Sequence, residues 1–197
     1  LEAALSGAGS VVGISAEPGM GKSRLVAEFV RNVRRRGHLV AFGESQAFGR
    51  NTSYFVWREI WRTLFHLRDD ELEAVQLARL EQELERIDPE LMARLPLLEP
   101  VVELEIPDND LTRGFDAKLR KASLEGLLVA CLRSRAARQP LVLVLEDCHW
   151  LDELSRELLG TLARAAASLR VVIVLAYRPA SDTGDGLGVE TLPHFSE

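Results

Sequence analysis

The sequence predicts an α/β fold, a parallel sheet with helices on both of its faces. Three observations carry that prediction. Wholly apolar runs recur at Val11 to Ile14, Leu141 to Leu145 and Val171 to Ala176, with the length and character of strands buried on both faces. Between them lie segments whose apolar residues recur at helical spacing. Finally, a glycine-rich stretch follows the first apolar run and two acids follow Leu145, at the carboxyl ends of strands, where open α/β sheets collect their functional groups.

Taken in order, Val11 to Ser15 reads as the first strand and Lys22 to Arg36 as a helix, with Leu25, Val26, Phe29, Val30 and Val33 on one face. Arg34, Arg35 and Arg36 fall in its last turn, where they complement the helix dipole, and Gly37 caps the end. The arginine run therefore needs no nucleic-acid explanation. Leu39 to Glu44 reads as the second strand and Thr52 to Arg68 as a helix, in which Trp57 and Trp61, four residues apart, are read as packing residues. Pro96, Pro100 and Pro107 break the next region into short pieces. Asp116 to Arg138 is a long helix that delivers the chain through Pro140 to the strand beginning at Leu141, and Glu153 to Ser168 is another. Val171 to Ala176 is a strand, Ala180 to Gly188 a loop rich in Ser, Asp and Gly, and Val189 to Leu192 a last strand. There is no internal repeat.

The chain has 197 residues, 47% hydrophobic and 27% charged, enough for one sizeable core. Its net charge of −6 argues against nucleic acid as a direct partner. Two cysteines, Cys131 and Cys148, have no paired spacing, which fits a reduced, cytoplasmic setting better than a disulfide framework or a zinc site. No run approaches the length of a membrane span and no secretory leader is visible. Charge is uneven: residues 69–112 hold fourteen acids against three bases, −11 in all, leaving +5 for the rest. The apolar positions Leu72, Val75, Leu77, Leu80, Leu84 and Ile87 mark this acidic segment as a folded helical insert, either presenting a solvated face or meeting a partner.

The stretch Ala16-Glu17-Pro18-Gly19-Met20-Gly21-Lys22-Ser23 is a phosphate-binding loop, or P-loop, in both composition and placement. Residues without bulk let successive backbone N–H groups point at phosphate oxygens, a lysine reaches the β and γ phosphates, and a hydroxyl serves magnesium. Gly19, Gly21, Lys22 and Ser23 supply those parts, while Ala16 stands where the first glycine is usual. Glu17, Pro18, Met20 and Arg24 complete the nucleotide-binding stretch. The strand Leu141 to Leu145 ends in Glu146-Asp147, the layout of a Walker B site. By register Glu146 takes the metal position with Ser23, and Asp147 the general-base position, with Lys22 counted as catalytic through its reach to the phosphates. The acids stand in the reverse of the common Asp-then-Glu order, and Asp147 is a methylene shorter than glutamate, so slow hydrolysis is expected.

Beyond them the chain continues Cys148-His149-Trp150-Leu151-Asp152, and Glu146 to Asp152 as a whole resembles the extended Walker B signature of STAND-type P-loop ATPases. More narrowly, it is similar to the AAA-type ATPase domain fused to class III adenylate/guanylate cyclases or to helix-turn-helix transcription regulators. Gly49 to Arg58 resembles the segment after the second strand of the cyclase-associated members, and Val171 to Pro179 resembles the strand that carries their sensor 1 arginine, here Arg178. The resemblance implies a three-layer α/β/α P-loop NTPase with five parallel strands in order 5-1-4-3-2. The strand Val171 to Ala176 then lies between those bearing the two Walker motifs, and Arg178 lies beside the γ phosphate as a further catalytic residue. It implies ATP or ADP and Mg²⁺ as ligands. It also implies that residues 1–197 are a single excised core: Leu1 to Leu5 end a helix of which the rest is outside, and the lid, the second sensor, part of the adenine pocket and the output domains lie outside too. A monomer with low turnover is expected of such a core.

Three functions remain compatible with the residues: a signalling ATPase that switches an attached output domain, a non-hydrolysing nucleotide-binding scaffold, and a P-loop small-molecule kinase. A guanine-specific enzyme is disfavoured, since no Asn-Lys-x-Asp element occurs. Asp152 is placed to cap the following helix and Trp150 to pack under the loop. His149 makes either a structural hydrogen bond or a link that reports the γ phosphate.

Overall fold

The computed structural model, which describes residues 7–179, Leu192 and Phe195–Ser196, runs through β1 (Ser10–Ser15), α1 (Lys22–Arg35), β2 (Leu39–Glu44), α2 (Phe55–Phe65) and α3 (Glu73–Ile87). A 3-10 stretch, Pro89–Leu98, leads into the short α4 (Glu99–Val102), followed by α5 (Ala117–Arg138), β3 (Leu141–Glu146), α6 (Glu153–Ala166), β4 (Val171–Tyr177) and β5 (Phe195–Ser196). The strands pair in parallel in the order β2-β3-β4-β1-β5, which is 5-1-4-3-2 read from the other edge. This is the P-loop NTPase arrangement that the sequence led us to expect. Every residue of β3 and β4 is buried, as central strands of a sheet covered on both faces require.

The alternation of side chains along β3 sorts the two faces. Val142 and Val144 join Val40, Val172, Val174 and Ala176 under α1, which contributes Val26, Val30 and Val33. Leu141, Leu143 and Leu145 join Ala41, Ile173 and Leu175 on the other face, against the leucines of α5 and α6 and the tryptophans of α2. One face thus carries a thin valine layer under a single helix, and the other a deep leucine-rich core that continues into the insert. Trp57 and Trp61 are fully buried there, as packing residues.

Helix α1 ends as its sequence dictates. His38 N–H donates to the Val33 carbonyl at 3.3 Å and Gly37 N–H to that of Arg34 at 3.0 Å, with Gly37 at φ 79°. This pair of bonds closes the helix in a Schellman motif. Leu25, expected on the buried face, is exposed instead, because only Val26, Val30 and Val33 point squarely at the sheet. Helix α2 is shorter than the expected Thr52 to Arg68. Tyr54 at φ 60° and His66 at φ 57° are both left-handed and stop it at either end.

The acidic insert is folded, and its anchor is Arg62 of α2, a buried arginine that the sequence reading passed over. Its guanidinium donates to the Val102 carbonyl at 2.6 Å, to Asp69 Oδ1 at 2.6 Å and to Gln76 Oε1 at 3.1 Å. Three separate points of the insert are thereby tied to one residue of the core. Leu80 and Leu84 of α3 are buried, whereas Leu72 and Val75, expected on the same stripe, face solvent: the stripe is narrower than the apolar pattern. Helix α6 stops at Ala166, two residues before the expected Ser168. Leu1 to Leu5, the loop Ala180 to Gly188 and residues 189–191 of the expected last strand lie outside the described residues. Leu192 sits in a bend, and the strand that pairs with β1 is Phe195–Ser196.

Gly43 of β2 permits the close approach of α2: a Cβ there would sit 2.1 Å from the Val56 carbonyl oxygen. Gly43→Ala must push α2 away and is expected to destabilise the fold by about 2 kcal/mol in denaturant titrations. Gly126, exposed in α5 with only open space where a Cβ would project, is the matched control. Gly126→Ala is expected to stabilise by about 0.5–1 kcal/mol.

Candidate functional site

The loop Ala16 to Gly21 joins β1 to α1 across the carboxyl edge of the sheet. Gly19 and Gly21 both take φ 84°, a left-handed conformation strained for any residue with a Cβ. Open space surrounds both positions, so the backbone angle, not crowding, requires glycine. Ala16 is not among the residues of positive φ, which is why alanine serves at that position. Its N–H donates to the Tyr177 carbonyl at 3.4 Å and ties the loop to β4.

Helix α1 begins after Gly21 with no side-chain cap, whereas Asp116 and Asp152 cap α5 and α6 by accepting from Leu119 N and Ser155 N. The first-turn N–H groups of α1 therefore keep their donors and the positive end of the helix dipole for an anion.

The acids come from the end of β3, two strands away. Glu146 is nearly buried and lies in register with Glu44 of β2. Burial pushes its carboxyl above the usual glutamate value; a hydrogen bond with Ser23 and the Lys22 charge oppose that rise, and the charges of Asp147 and Glu44 add to it. Asp147 follows at φ 52°, a left-handed aspartate whose strained backbone opens the turn Cys148–Trp150. Its Oδ1 lies 3.3 Å from Lys22 Nζ, and the lysine side chain is only 10% exposed. The P-loop and the acidic turn thus meet directly.

Of the residues singled out by sequence, Glu17, Pro18, Gly19, Gly21, Lys22, Ser23, Arg24, Asp147 and Arg178 line one cleft of about 400 Å³. Glu146 stands behind it against Ser23. Met20 is the exception: its side chain is 76% exposed at the loop tip, and its N–H donates to the Glu17 carbonyl at 3.3 Å. The Ser23 hydroxyl and the Glu146 carboxylate are hard oxygen donors on facing elements, a set that fits Mg²⁺, which keeps several waters and shares its shell with phosphate. Among the described residues no group of three or more His, Cys, Asp or Glu side chains converges as a metal site. A magnesium held jointly with a nucleotide needs none.

The turn after the acids is fixed from behind. Asp152 Oδ1 accepts from Ser155 N at 2.9 Å, the expected cap, and also from Tyr54 N at 3.3 Å. Trp57 Nε1 donates to the Ser155 carbonyl at 3.1 Å. The His149 and Trp150 rings stack at a tilt, with centroids 5.0 Å apart. Beneath them Cys148 Sγ donates to the Leu145 carbonyl at 3.2 Å, and burial pushes this thiol and that of Cys131 up to about 12. Neither is available as a thiolate at neutral pH. Sequence reading missed Glu44 as a neighbour of Glu146 and the bond between Tyr54 and Asp152. The place of Glu44 as the last residue of its strand was the available signal for the first; the second had none.

A phosphate-ready helix end, a lysine and paired acids across a 5-1-4-3-2 sheet define a nucleotide-dependent P-loop protein. The family model described as "AAA ATPase domain" matches residues 1–174, and the chain belongs to that family, which implies nucleotide binding. The chain is also 29% identical over 187 residues to the uncharacterized protein R02095 of Rhizobium meliloti (strain 1021), a match covering 89% of this chain and 17% of that protein. The chain thus spans about a sixth of the length of this relative. No solved structure gives a significant match. Among the described residues no helix is long and apolar enough to cross a membrane.

The burial of Glu146 generates a prediction about stability. A carboxyl whose value is raised in the folded state is protonated at low pH at little cost, and the fold loses stability as pH rises through that raised value. Glu146→Gln removes the penalty. Its melting temperature is expected to match wild type in acid and to exceed it increasingly toward neutral pH, as calorimetry across that range would record.

Proposed function

We propose that this chain is the ATP-binding and slowly hydrolysing core of a larger, cytoplasmic signalling ATPase of the STAND type, in which nucleotide state switches an attached cyclase or transcription-regulator output. The observation that carries the reading is the convergence, in one cleft, of the uncapped end of α1, Lys22, Ser23 and Asp147, with Glu146 against Ser23. The small share of the Rhizobium meliloti relative that the match covers supports a core within a longer polypeptide. Single-domain organisation over residues 1–197, with the acidic insert at 69–112 and the lid and output domains outside, belongs to the same reading. So does a monomeric state of the isolated core.

The residues divide the work by chemistry. The α1 N–H groups and Lys22 hold the β and γ phosphates, with Glu17, Pro18 and Arg24 forming the walls. Ser23 and Glu146 hold the magnesium, which when bound neutralises developing charge on the phosphate oxygens. Asp147 orients the attacking water and accepts its proton. Arg178, at the end of the strand between the two motifs, senses the γ phosphate. The ion pair between Lys22 and Asp147 gives this chemistry a switch: a phosphate that recruits Lys22 frees Asp147 to act on water.

That same ion pair supports a second reading, a scaffold that binds nucleotide without hydrolysing it, with Asp147 retained by Lys22. Phosphate-release assays separate the two. Lys22→Ala is expected to weaken Mg-ATP binding about thirtyfold or more, the loss of a charge-assisted contact of roughly 2 kcal/mol. Equal affinity in calorimetric titration refutes the P-loop assignment.

Asp147→Asn is expected to retain Mg-ATP binding and to lose turnover, whereas Glu146→Gln is expected to weaken the magnesium dependence of binding. Wild-type turnover is expected to lie far below about 10 per second. Loss of magnesium dependence in Asp147→Asn, with Glu146→Gln unaffected, reverses the two roles.

A further inference from the structure

A second cavity, of about 740 Å³, lies away from the nucleotide cleft, where the insert meets the first turns of α5 and α6. Its walls are apolar: Pro96, Leu97 and Pro100 from the insert, Leu124 from α5 and Leu154 from α6. The volume falls within the range of about 300–1,000 Å³ usual for small-molecule sites. The charges on its rim balance, with Lys118, Arg120 and Lys121 against Glu99, Glu153 and Glu157. Lys121 lies 3.4 Å from Glu125 and 2.6 Å from Glu157, and Arg120 is paired with Asp108. Nothing here selects an ion of either sign.

Tyr54, only 4% exposed, is the one uncharged polar side chain in the lining, and its hydroxyl is not among the buried polar atoms that lack a partner. Burial, with the nearby carboxylates of Glu125, Asp152 and Glu157, pushes the phenol up to about 12, so it is a donor at neutral pH. A phenol donor in the lining of a largely apolar cavity offers a bound molecule one oriented hydrogen bond, exchanged for the one it makes with water.

Tyr54 is also wired to the acidic turn. Its N–H donates to Asp152 Oδ1, and Asp152 caps α6 five residues after Asp147. Trp57, one turn further along α2, holds the Ser155 carbonyl. Tyr54 at φ 60° and Asp147 at φ 52° are thus left-handed residues at the two ends of one short connection.

We propose that this groove binds a neutral amphipathic small molecule, an aromatic or alicyclic body with a carbonyl-type acceptor for the Tyr54 hydroxyl, and that its occupancy changes nucleotide affinity through Asp152. The site itself stands apart from the nucleotide reading; the coupling rests on it. Coupling requires that the ligand favour one setting of the acidic turn over another, and contact with both Tyr54 and α6 provides that difference.

The probe is prodan, a neutral naphthalene carrying a ketone, titrated into the 197-residue chain without nucleotide. Saturable, blue-shifted emission at one equivalent is expected. Leu154→Trp, which fills the groove, is expected to weaken binding at least tenfold, with Pro100→Trp as a second filler should the first fail to fold. Tyr54→Phe, which keeps the wall and removes the donor, is expected to weaken it about fivefold. Non-saturable emission, or binding indifferent to these substitutions, overturns the site.

Calorimetric Mg-ADP titrations with and without saturating prodan test the coupling. A shift of about fivefold or more, absent in the groove-filling variant, is expected. An unchanged Mg-ADP affinity with prodan bound overturns the coupling. Failure of Mg-ADP to bind under either condition overturns the nucleotide reading and the coupling with it, while prodan emission still decides the groove.

Discussion

The placement of β4 between β1 and β3 is the constraint on which the site depends. It sets the P-loop and the acidic turn two strand spacings apart, about 9–10 Å, a gap that a lysine side chain and an aspartate can close between them. β4 also holds the loop through the Tyr177 carbonyl and delivers Arg178 to the cleft between the two motifs. Its complete burial makes it rigid enough to keep that spacing.

The two halves of the site rest on unequal foundations. Helix α1, whose N-terminus carries no side-chain cap, is seated on the sheet by three buried valines and a thin valine layer beneath them. The acidic turn is seated on the deep face, where Asp152, Ser155, Trp57 and Tyr54 cross-link it to α2, and α2 in turn is bonded through Arg62 to the insert. Movement in the insert therefore has a route to the acids through polar bonds, while the body of α1 rests on the sheet through apolar contact and meets the acids at its first turn, through Lys22 and Ser23. The insert, far from being an appendage, is continuous with the half of the site that carries the acids.

Local signals were legible in the sequence. The apolar runs of β3 and β4, the glycine stop after α1, the Asp152 cap and the tryptophan pair of α2 each follow from a few adjacent residues, and the structure keeps them. The interposition of β4 is a global property that no local pattern encodes, and it came only through the family resemblance. Leu25, Leu72 and Val75 fall on apolar stripes yet face solvent, because helical spacing marks a stripe without its width, which the partner surface decides. The ends of α2 were invisible since Tyr54 and His66 adopt left-handed angles without a glycine to announce them. The role of Arg62 is not legible in the sequence, because an arginine amid an amphipathic helix reads as solvated until its acceptors, at Asp69, Gln76 and Val102, are brought around it. Glu44 required knowledge of strand register.

The two inert thiols give the molecule an internal pair of clocks. Alkylation consumes only thiolate, so a reagent reaches Cys148 when the acidic turn lifts and exposes it, and Cys131 when α5 leaves the deep core. Tracked peptide by peptide in a mass spectrometer, the ratio of the two labelling rates separates local opening beside the acids from global unfolding. The unmodified chain thereby reports the breathing of its own acidic turn, with no dye, tag or engineered cysteine.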